Sequence, residues 1–452
     1  MNLPKFNINK KAKYLTLAIG ASVFDLFKKI SQKYQVCYFA ESLGESRPLS
    51  RYSFIGFDPE HFLRARGKDL FIDDVKYAVP NPYYALRSLI PQDCIGRRYA
   101  GGLFGYLSYE AVNYLEPILK IKTHPLFPEF QFGLYTDGLI YDNLTAELIY
   151  FYYNTNRSEI IRAILDSPSE EVALPQVRFR GDNVSEPEHK ILVENVKKEI
   201  IAGNIFQCEV GIKSEYKITG DPIAIYESLR VINPSPYMFY LRHQDIMILG
   251  ASPELLVKVE QGDVETRPLA GTIARGATPA ENAINSRKLL HDPKEIAEHT
   301  MLVDMHRNDI GRVADFGSVK VTNLMDVKKF SHVQHIESAI RGNLRPSCDM
   351  FDALAALLPG GVLSGSPKIE SMKIIDRQEK EARGPYGGAV GAFNFNGDCT
   401  FTIPIRSLYI KGDYAFSQTS SGIVYDSVPE KEYLEVQNKA RAMRTALTPF
   451  LI

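Results

Sequence analysis

The sequence predicts a mixed α and β fold built on antiparallel sheets, and three observations support this class. Asn396-Gly397 lies between two apolar runs, which is the strongest short-range signal for a β-hairpin. Asp142-Asn143 joins two segments rich in β-branched and aromatic residues, which predicts a second hairpin. Segments with helical periodicity alternate with such runs along the whole chain of 452 residues.

The N-terminal part is predicted to contain one helix followed by strands. Ser22 precedes apolar residues at helical spacing, which predicts a capped amphipathic helix. The strands are predicted at 36–40, 51–56, 132–141 and 146–153.

The segment 167–188 is rich in Ser, Pro, Glu and Asp and has little apolar periodicity, so it is the predicted linker. It divides the chain into regions 1–165 and 185–452, which we expect to interleave in one globular unit. Beyond it the sequence predicts a helix at 187–202, an antiparallel meander at 388–418 and a last helix at 429–447.

Composition excludes several classes of protein. Lys and Arg number 53 against 54 Asp and Glu, so the chain lacks the bulk positive charge of a protein that binds nucleic acid or acidic membranes. Five scattered cysteines without a CxxC pair argue against a disulfide framework or a zinc ribbon. No apolar run reaches the ~18 residues of a membrane span, and the N-terminus does not resemble a signal peptide. We expect a cytoplasmic protein.

Two segments each carry a pair of glutamates spaced i, i+3. Glu295 and Glu298 lie in PKEIAEHTMLVDM, and Glu432 and Glu435 lie in PEKEYLEVQNKA. On a helix, each pair projects from one face, where the like charges repel unless a cation or water intervenes. Carboxylates converging from two helices suit Mg²⁺, which prefers oxygen ligands and keeps its waters. The alternative is that both pairs lie on solvated helix faces.

His335, in SHVQHIES, is a candidate base or hydrogen-bond donor between strand residues, or else a structural histidine. The glycine-rich GPYGGAVGAF predicts either a tight turn into a strand or a close approach of backbone and Tyr386 to a ligand. The residues alone therefore predict an enzyme with acidic helices and an anionic ligand.

Motifs in the same order along the chain resemble the chorismate-utilising enzyme family, and most closely its anthranilate-forming large-subunit branch, component I. The matching stretches are IFQ, NPSPYMFYL, GASPE, RPLAGT, EIAEHTMLVDMHRNDIGRV, SHVQHI, LSGSPK, RGPYGGAVG, IRS and NKARA. The resemblance covers most of the chain and is strongest from Gly203 onward. It implies a two-lobed α+β fold in which large antiparallel sheets pack together with helices outside.

The resemblance also implies the roles of individual residues in tryptophan biosynthesis. The four glutamates would surround Mg²⁺, with Glu298 and Glu435 as ligands, and the ion would hold the ring carboxylate of chorismate. Glu254 would be the general acid that protonates the departing hydroxyl, and His335 would assist the loss of pyruvate. The implied substrate contacts are Arg406 and Tyr386 at the enolpyruvyl carboxylate, with Gly271, Thr272, Ala270, Gln207, Ser420, Ser421 and Gly422.

The expected nucleophile follows from two replaced lysines. Relatives that add water carry a lysine where this chain has Gln207, and relatives that make aminodeoxychorismate carry one where it has Ala270. The resemblance therefore implies ammonia as the nucleophile and anthranilate and pyruvate as products. No glutaminase triad domain is recognisable, so a glutamine amidotransferase subunit (component II) is the expected partner.

The N-terminal region resembles the part of the family that binds L-tryptophan as a feedback inhibitor. The implied contacts are Ser42 in AES, and Pro236, Tyr237 and Met238 in the second wall of that site. The alternative is that these are strand and core residues.

Three departures from the family pattern leave the product open. Val362 replaces a threonine, Thr419-Ser420-Ser421-Gly422 replaces A-G-A-G, and Glu209 stands in an otherwise apolar strand. The alternatives are an aminodeoxyisochorismate or aminodeoxychorismate synthase component, or a non-catalytic regulatory member of the family.

Overall fold

The computed structural model describes residues 3–20, 22–44, 51–96, 99, 101–168, 173–329 and 333–452. In this part of the chain, none of the helices combines the length and apolarity needed to cross a membrane.

The strands are named in chain order, and all of the pairings between them are antiparallel in the described part of the chain. They are β1 (Lys13–Leu17), β2 (Val36–Glu41), β3 (Tyr52–Phe57), β4 (His61–Arg66), β5 (Asp69–Ile72), β6 (Val75–Ala78), β7 (Gly102–Leu107), β8 (Phe130–Tyr135), β9 (Asp137–Asp142), β10 (Glu147–Tyr152), β11 (Gln176–Asp182), β12 (Gln207–Thr219), β13 (Tyr237–His243), β14 (Ile246–Ser252), β15 (Leu255–Glu260), β16 (Asp263–Arg267), β17 (Leu269–Ala274), β18 (Lys320–Lys329), β19 (Val333–Asn343), β20 (Gly365–Ser366), β21 (Ala389–Asn394), β22 (Cys399–Thr402), β23 (Ser407–Lys411) and β24 (Tyr414–Ile423).

The helices are α1 (Val23–Lys33), α2 (Pro82–Ala85), α3 (Val112–Leu115), α4 (Ser158–Asp166), α5 (Glu186–Ile201), α6 (Ile223–Ile232), α7 (Pro279–Leu289), α8 (Pro293–Gly311), α9 (Met350–Leu357), α10 (Lys368–Gln378) and α11 (Pro429–Leu447).

The described strands form two large sheets. The first has the order β1-β10-β9-β3-β2-β13-β14-β23-β24-β12-β11, with β20 paired to β12. The second has the order β17-β19-β16-β15-β22-β21-β7-β8-β4-β5-β6, with β18 paired to β19. Each sheet therefore contains strands from both halves of the chain, in two contiguous blocks that meet where β2 pairs with β13 and where β21 pairs with β7. The domain limits 1–165 and 185–452 stay a prediction.

The two sheets pack face to face through a continuous apolar core. Tyr38 of the first sheet stacks on Phe104 of the second, with ring centroids 3.6 Å apart and planes 7° apart. A second core lies between the first sheet and the helices α1, α4, α6 and α11. These layers confirm the predicted α+β fold of packed antiparallel sheets with helices outside.

Several predicted elements are confirmed. Ser22 caps α1 by accepting a hydrogen bond from the N–H of Asp25 at 3.1 Å. The turn at Asp142-Asn143 joins β9 to β10, and the turn at Asn396-Gly397 joins β21 to β22. The last helix, α11, begins at Pro429 as predicted.

The predicted linker at 167–188 is wrong for most of its described residues. Residues 176–182 form β11, the outermost strand of the first sheet, and α5 begins at Glu186. In β11 only Val177 is buried, while Arg178 and Arg180 are exposed. An edge strand that buries one side chain has the polar composition of a linker, which explains the error.

Two predicted strands are each divided between the sheets. The run 132–141 is split at Thr136 into β8 of the second sheet and β9 of the first. The run 400–410 is split at 403–406 into β22 of the second sheet and β23 of the first. The single meander predicted through 388–418 is therefore two hairpins in different sheets, joined by a crossing segment that carries Arg406.

Candidate active site

The helix α8 holds the first acidic pair against the second sheet. Asp292 caps its N-terminus by accepting a hydrogen bond from the N–H of Glu295 at 3.4 Å. The Oε2 atom of Glu295 accepts from the N–H of Thr272 in β17 at 3.1 Å. The buried ring of His299 is 2.7 Å from the hydroxyl of Ser338 in β19. These contacts fix the face of α8 that carries the carboxylates over β17 and β19.

The helix α11 brings Glu435, one member of the second pair, to the same place from the first sheet. Lys439 donates to the backbone oxygen of Ser420 in β24 and forms an ion pair with Glu435, both at 2.9 Å. The hydroxyl of Thr419 donates to the carbonyl of Val436 at 3.2 Å. Side chains of Glu435 and Lys439 remain 45% and 43% exposed, so this side of the cleft is open to solvent.

The carboxylates of the two helices are close enough to change one another's pKa values. Burial raises the pKa of Glu298 to about 7, and the charges of Glu295 and Glu435 add to this effect against the opposing charge of Lys439. Burial works to raise the pKa of Glu435, but the ion pair with Lys439 outweighs it and lowers that pKa. The structure therefore brings Glu295, Glu298 and Glu435 into one cleft.

Glu432 lies outside this group of three carboxylates. Its side chain is buried, and the Nζ atom of Lys294 is 4.0 Å from its Oε1 atom. Among the described residues, no group of three or more acidic, histidine or cysteine side chains is already arranged to hold a metal ion. The donor set nevertheless fits Mg²⁺ in chemistry, because it offers oxygen donors whose mutual repulsion a divalent cation would relieve.

Glu254 lies at the buried end of the cleft, between β14 and β15. Its side chain is 2% exposed, and its Oε1 atom accepts from the N–H of Leu269 at 3.3 Å. Its backbone carbonyl accepts from the hydroxyl of Thr402 at 2.6 Å. Burial raises the pKa of Glu254 to about 8, although the charge of Arg406 acts in the opposite direction. The carboxyl is therefore largely protonated near neutral pH and can donate a proton.

His335 lies on β19 and faces the same space. Its Nδ1 atom is 3.1 Å from the carbonyl oxygen of Gly271 and 3.1 Å from the hydroxyl of Thr272, and its Nε2 atom is 3.2 Å from Nη2 of Arg406. Burial lowers the pKa of His335 to about 3, and the charge of Arg406 lowers it further. Because a carbonyl can only accept and a guanidinium can only donate, the ring is neutral with its proton on Nδ1.

Arg406 lies in the segment that crosses between the sheets. Its backbone has φ of +51°, a conformation that non-glycine residues seldom adopt, and which indicates a functional constraint. Within the described residues no carboxylate lies at ion-pair distance from it, and burial lowers its pKa to about 10 against the opposing charge of Glu254. The guanidinium remains charged at neutral pH and lacks a carboxylate partner, so it is available to an anionic ligand.

Tyr386 closes the wall opposite α11. Its buried hydroxyl is 2.8 Å from Oγ of Ser420, and the Ser420 hydroxyl donates to Oε2 of Glu209 at 2.5 Å. The guanidinium of Arg383 lies 5.6 Å from the centre of the Tyr386 ring. The Tyr386 hydroxyl and the Glu209 carboxylate are thus linked through one serine.

The floor of the cleft is formed by the backbones of β12, β17 and β24. Gln207 is 1% exposed. Among the described residues, neither its Oε1 atom nor the buried hydroxyl of Ser421 has a hydrogen-bond partner. A Cβ on Gly422 would clash with the side chain of Gln207. Ala270 is buried on β17, opposite Ile336. Buried polar atoms without partners indicate that a ligand binds here.

The predicted tryptophan contacts lie elsewhere, in a cavity of about 970 Å³ between the two sheets. Its lining includes Ser42, Pro236, Tyr237 and Met238. The hydroxyl of Ser42 is buried without a hydrogen-bond partner. The adjacent Glu41 accepts from Arg230 at 2.6 Å, which places both charges beside the cavity.

Two charged residues of the cleft were not assigned a role from the sequence. Lys439 lies in the matching stretch NKARA, and its signal was the i, i+4 spacing from Glu435 on one helix face. Glu209 was noted as an acid in an apolar strand. Its alternation with Gln207 on β12 was the available signal that both face the same side.

Comparison with known proteins identifies the family to which this chain belongs. Residues 36–445 match the model of the chorismate binding enzyme family. Component 1 of anthranilate synthase from Leptospira biflexa is 50% identical over 452 residues, covering 98% of both chains. The same component from Methanothermobacter marburgensis is 43% identical over 426 residues, covering 93% of this chain and 91% of the relative.

Solved structures agree with this assignment. Anthranilate synthase component I from Streptococcus pneumoniae TIGR4 superposes with a TM-score of 0.79 at 32% identity, covering 89% of this chain and 94% of that chain. The menaquinone-specific isochorismate synthase of Escherichia coli shares the fold, with a TM-score of 0.75 at 16% identity. The match covers 98% of this chain and 96% of that chain. The chain therefore belongs to the chorismate binding enzyme family, and within that family to the enzymes of the anthranilate synthase component 1 group.

Proposed function

We propose that the chain is the large subunit of an anthranilate synthase, which converts chorismate and ammonia into anthranilate and pyruvate. One arrangement carries the proposal: a protonated acid, Glu254, and a guanidinium without a carboxylate partner, Arg406, share a cleft with two acidic helices. The names of the relatives supply the substrate and product, since component 1 of anthranilate synthase recurs among them.

Each residue of the cleft has a separate role in the proposed reaction. Arg406 and the hydroxyl of Tyr386 bind the enolpyruvyl carboxylate, and the Thr272 hydroxyl orients His335. Glu254 donates its proton to the departing ring hydroxyl, which leaves as water. His335 is neutral, and the Nε2 atom beside Arg406 carries the lone pair for the ring proton that is lost with pyruvate.

A metal ion belongs to the proposal. Mg²⁺ held by Glu298 and Glu435, with Glu295 and Glu432 beside them, would orient the ring carboxylate and neutralise charge when bound.

Ammonia is the proposed nucleophile because the lysine in the cleft cannot serve as a base. The ammonium of Lys439 is held by Glu435 and the Ser420 carbonyl, and the charges of Glu435 and Glu209 raise its pKa against the effect of burial. Gln207 and Ala270 cannot activate water. We propose that a separate glutamine amidotransferase subunit supplies the ammonia. The chain alone should then use ammonium salts but not glutamine.

The cavity between the sheets is the proposed site for L-tryptophan as a feedback inhibitor. It is large enough for one amino acid, and its lining carries both signs of charge through Glu41 and Arg51. Such a site matches the opposite charges of an amino acid, while aromatic and apolar walls such as Tyr237 and Met238 match an indole ring.

The test is incubation of the purified chain with chorismate, an ammonium salt and Mg²⁺. Anthranilate is detected by its fluorescence, and pyruvate by reduction with lactate dehydrogenase. Both products in equal amounts support the proposal. An aminated product that retains the pyruvyl group, identified by mass, would instead favour an aminodeoxyisochorismate or aminodeoxychorismate synthase. The absence of any turnover would contradict an enzymatic role.

A further inference from the structure

Glu209 is a buried acid on the strand β12, and the proposed mechanism does not use it. Its neighbours Cys208 and Val210 point into an apolar cluster that also contains Ile374 and Ile423. Since side chains alternate along a strand, Glu209 points to the opposite side, as Gln207 does. The side chain is 4% exposed and faces the cleft of the active site.

The contacts of Glu209 define a small polar pocket at this point. Its Oε2 atom accepts from the hydroxyl of Ser420, which is also hydrogen-bonded to Tyr386. A Cβ on Gly422 would lie 2.8 Å from its Oε1 atom and would also clash with the amide of Gln207. The glycine therefore leaves room where the carboxylate and the amide converge. The Oε1 atom of Gln207 is buried and has no hydrogen-bond partner in the part of the chain that the structure describes.

A cation is missing from the immediate surroundings of this carboxylate. In the described ranges of the chain, no basic side chain lies within ion-pair distance of Glu209, and the ammonium of Lys439 is taken up by Glu435 and a carbonyl. Burial raises the pKa of Glu209, and the charge of Lys439, the hydrogen bond from Ser420 and the charge of Arg383 oppose this effect without cancelling it. Burying a carboxylate without a cation in direct contact is unfavourable, because the remaining charge is not neutralised. The packing of the apolar strand around it does not require an acid at this position. We therefore attribute Glu209 to the binding of a ligand.

We propose that Glu209 is a further catalytic residue of the amination: its carboxylate, together with Oε1 of Gln207, binds the incoming ammonium ion and removes one proton from it. The inference rests on the proposed function, because ammonia is the nucleophile there. An ammonium ion has four N–H donors and a positive charge, and the pocket offers acceptor oxygens and a negative charge.

The step balances within the cleft. One N–H bond of ammonium breaks and its proton forms an O–H bond on Glu209. The lone pair of the resulting ammonia forms the C–N bond at the ring carbon next to the carboxylate. The two ring double bonds each shift by one position toward the carbon that carries the hydroxyl. The C–O bond at that carbon breaks, its electron pair stays on oxygen, and the proton from Glu254 completes a water molecule. Glu209 gains the one proton that Glu254 loses, so the two carboxyls together hold the same number of protons before and after.

The test is steady-state kinetics of the full chain with ammonium chloride as nitrogen donor, comparing Glu209→Gln with wild type. The variant keeps the shape and removes the base and the charge. We expect kcat/KM for ammonium to fall about 100-fold, the lower range for loss of a general base, while KM for chorismate changes less than about 2-fold. Glu209→Asp should recover part of the loss. Glu215→Gln is the matched control, because Glu215 lies on the same strand and contacts Tyr414 outside the cleft.

The outcomes separate the two proposals. An undiminished kcat/KM for ammonium in Glu209→Gln, with wild type making anthranilate, overturns the role of Glu209 and leaves the proposed function intact. A parallel rise in KM for chorismate indicates a structural role and also overturns it. A wild-type chain that releases no anthranilate overturns both. If Glu209→Gln does not fold, Glu209→Asp decides, since the shorter carboxylate should lower kcat/KM for ammonium and leave KM for chorismate unchanged; an undiminished kcat/KM for ammonium would overturn the role of Glu209.

Discussion

Replacing Glu254 by glutamine should remove activity and at the same time stabilise the protein. The change keeps the size of the side chain and the hydrogen bond from the N–H of Leu269. It removes a carboxyl that burial holds in its protonated form, with its pKa raised from 4.5 to about 8. The proposed general acid therefore lowers the free energy of unfolding. Its effects on activity and on stability can both be measured with one variant.

The magnitude follows from the two pKa values. The folded protein retains a proton on Glu254 that the unfolded chain releases above pH 4.5, so folding becomes less favourable as the pH rises and the penalty levels off above pH 8. At about 1.4 kcal/mol per pH unit, the wild type should lose about 3 kcal/mol relative to Glu254→Gln between roughly pH 5.5 and 8. Below about pH 4.5 the two proteins should have similar stability.

The assay is urea unfolding followed by circular dichroism at several pH values, for wild type, Glu254→Gln and Glu215→Gln. The difference between the first two should widen with pH, while Glu215→Gln follows wild type. Loss of the general acid should lower kcat by about 10²- to 10⁴-fold. If the unfolding free energies of wild type and Glu254→Gln run parallel from about pH 5.5 to 8, the carboxyl ionises normally in the fold and the reasoning is refuted.

Three other results are expected. Arg406→Lys should raise KM for chorismate about 10- to 100-fold, because a bidentate pair with a carboxylate is lost, and an unchanged KM would place the substrate elsewhere. Glu298→Gln and Glu435→Gln should each abolish Mg²⁺-dependent turnover, and a retained metal response would remove the metal assignment. Saturating L-tryptophan should lower the initial rate; because the chain has no tryptophan, the fluorescence of the ligand itself reports binding, and an unaffected rate would contradict feedback inhibition.

The acidic pairs could be found from the sequence because their spacing is a property of one helix. The i, i+3 interval puts Glu295 and Glu298 on one face whatever surrounds the helix. Which helix faces which depends on distant contacts, such as that between Glu295 and the N–H of Thr272, and periodicity does not encode them. The sequence therefore predicted the carboxylates and left open whether they met, which the structure answers for three of the four.

The position of Arg406 could not be found from periodicity. The run from Thr400 to Ile410 has the composition of one strand, but the chain leaves the second sheet after Thr402 and enters the first at Ser407. Pro404 was the available signal, because proline cannot donate to a sheet interior. The crossing matters for function, since it brings Arg406 to His335 with a backbone conformation that a regular strand does not contain.

The charges of the cleft are unbalanced in a way that matches a substrate with two carboxylates and a separate cation. On the side of α8 and α11, Glu295, Glu298 and Glu435 outnumber the ammonium groups of Lys439 and Lys294 that act on them, and the pKa of Glu298 is raised to about 7. On the other side Arg406 has a lowered pKa and, in the described part of the chain, no carboxylate at ion-pair distance. A dianion entering such a cleft is attracted at one end and repelled at the other. Its ring carboxylate can approach the acidic helices only after a cation or protons neutralise them. Chorismate affinity should therefore fall sharply when Mg²⁺ is removed at pH 8, and less at pH 6, where Glu298 is largely protonated.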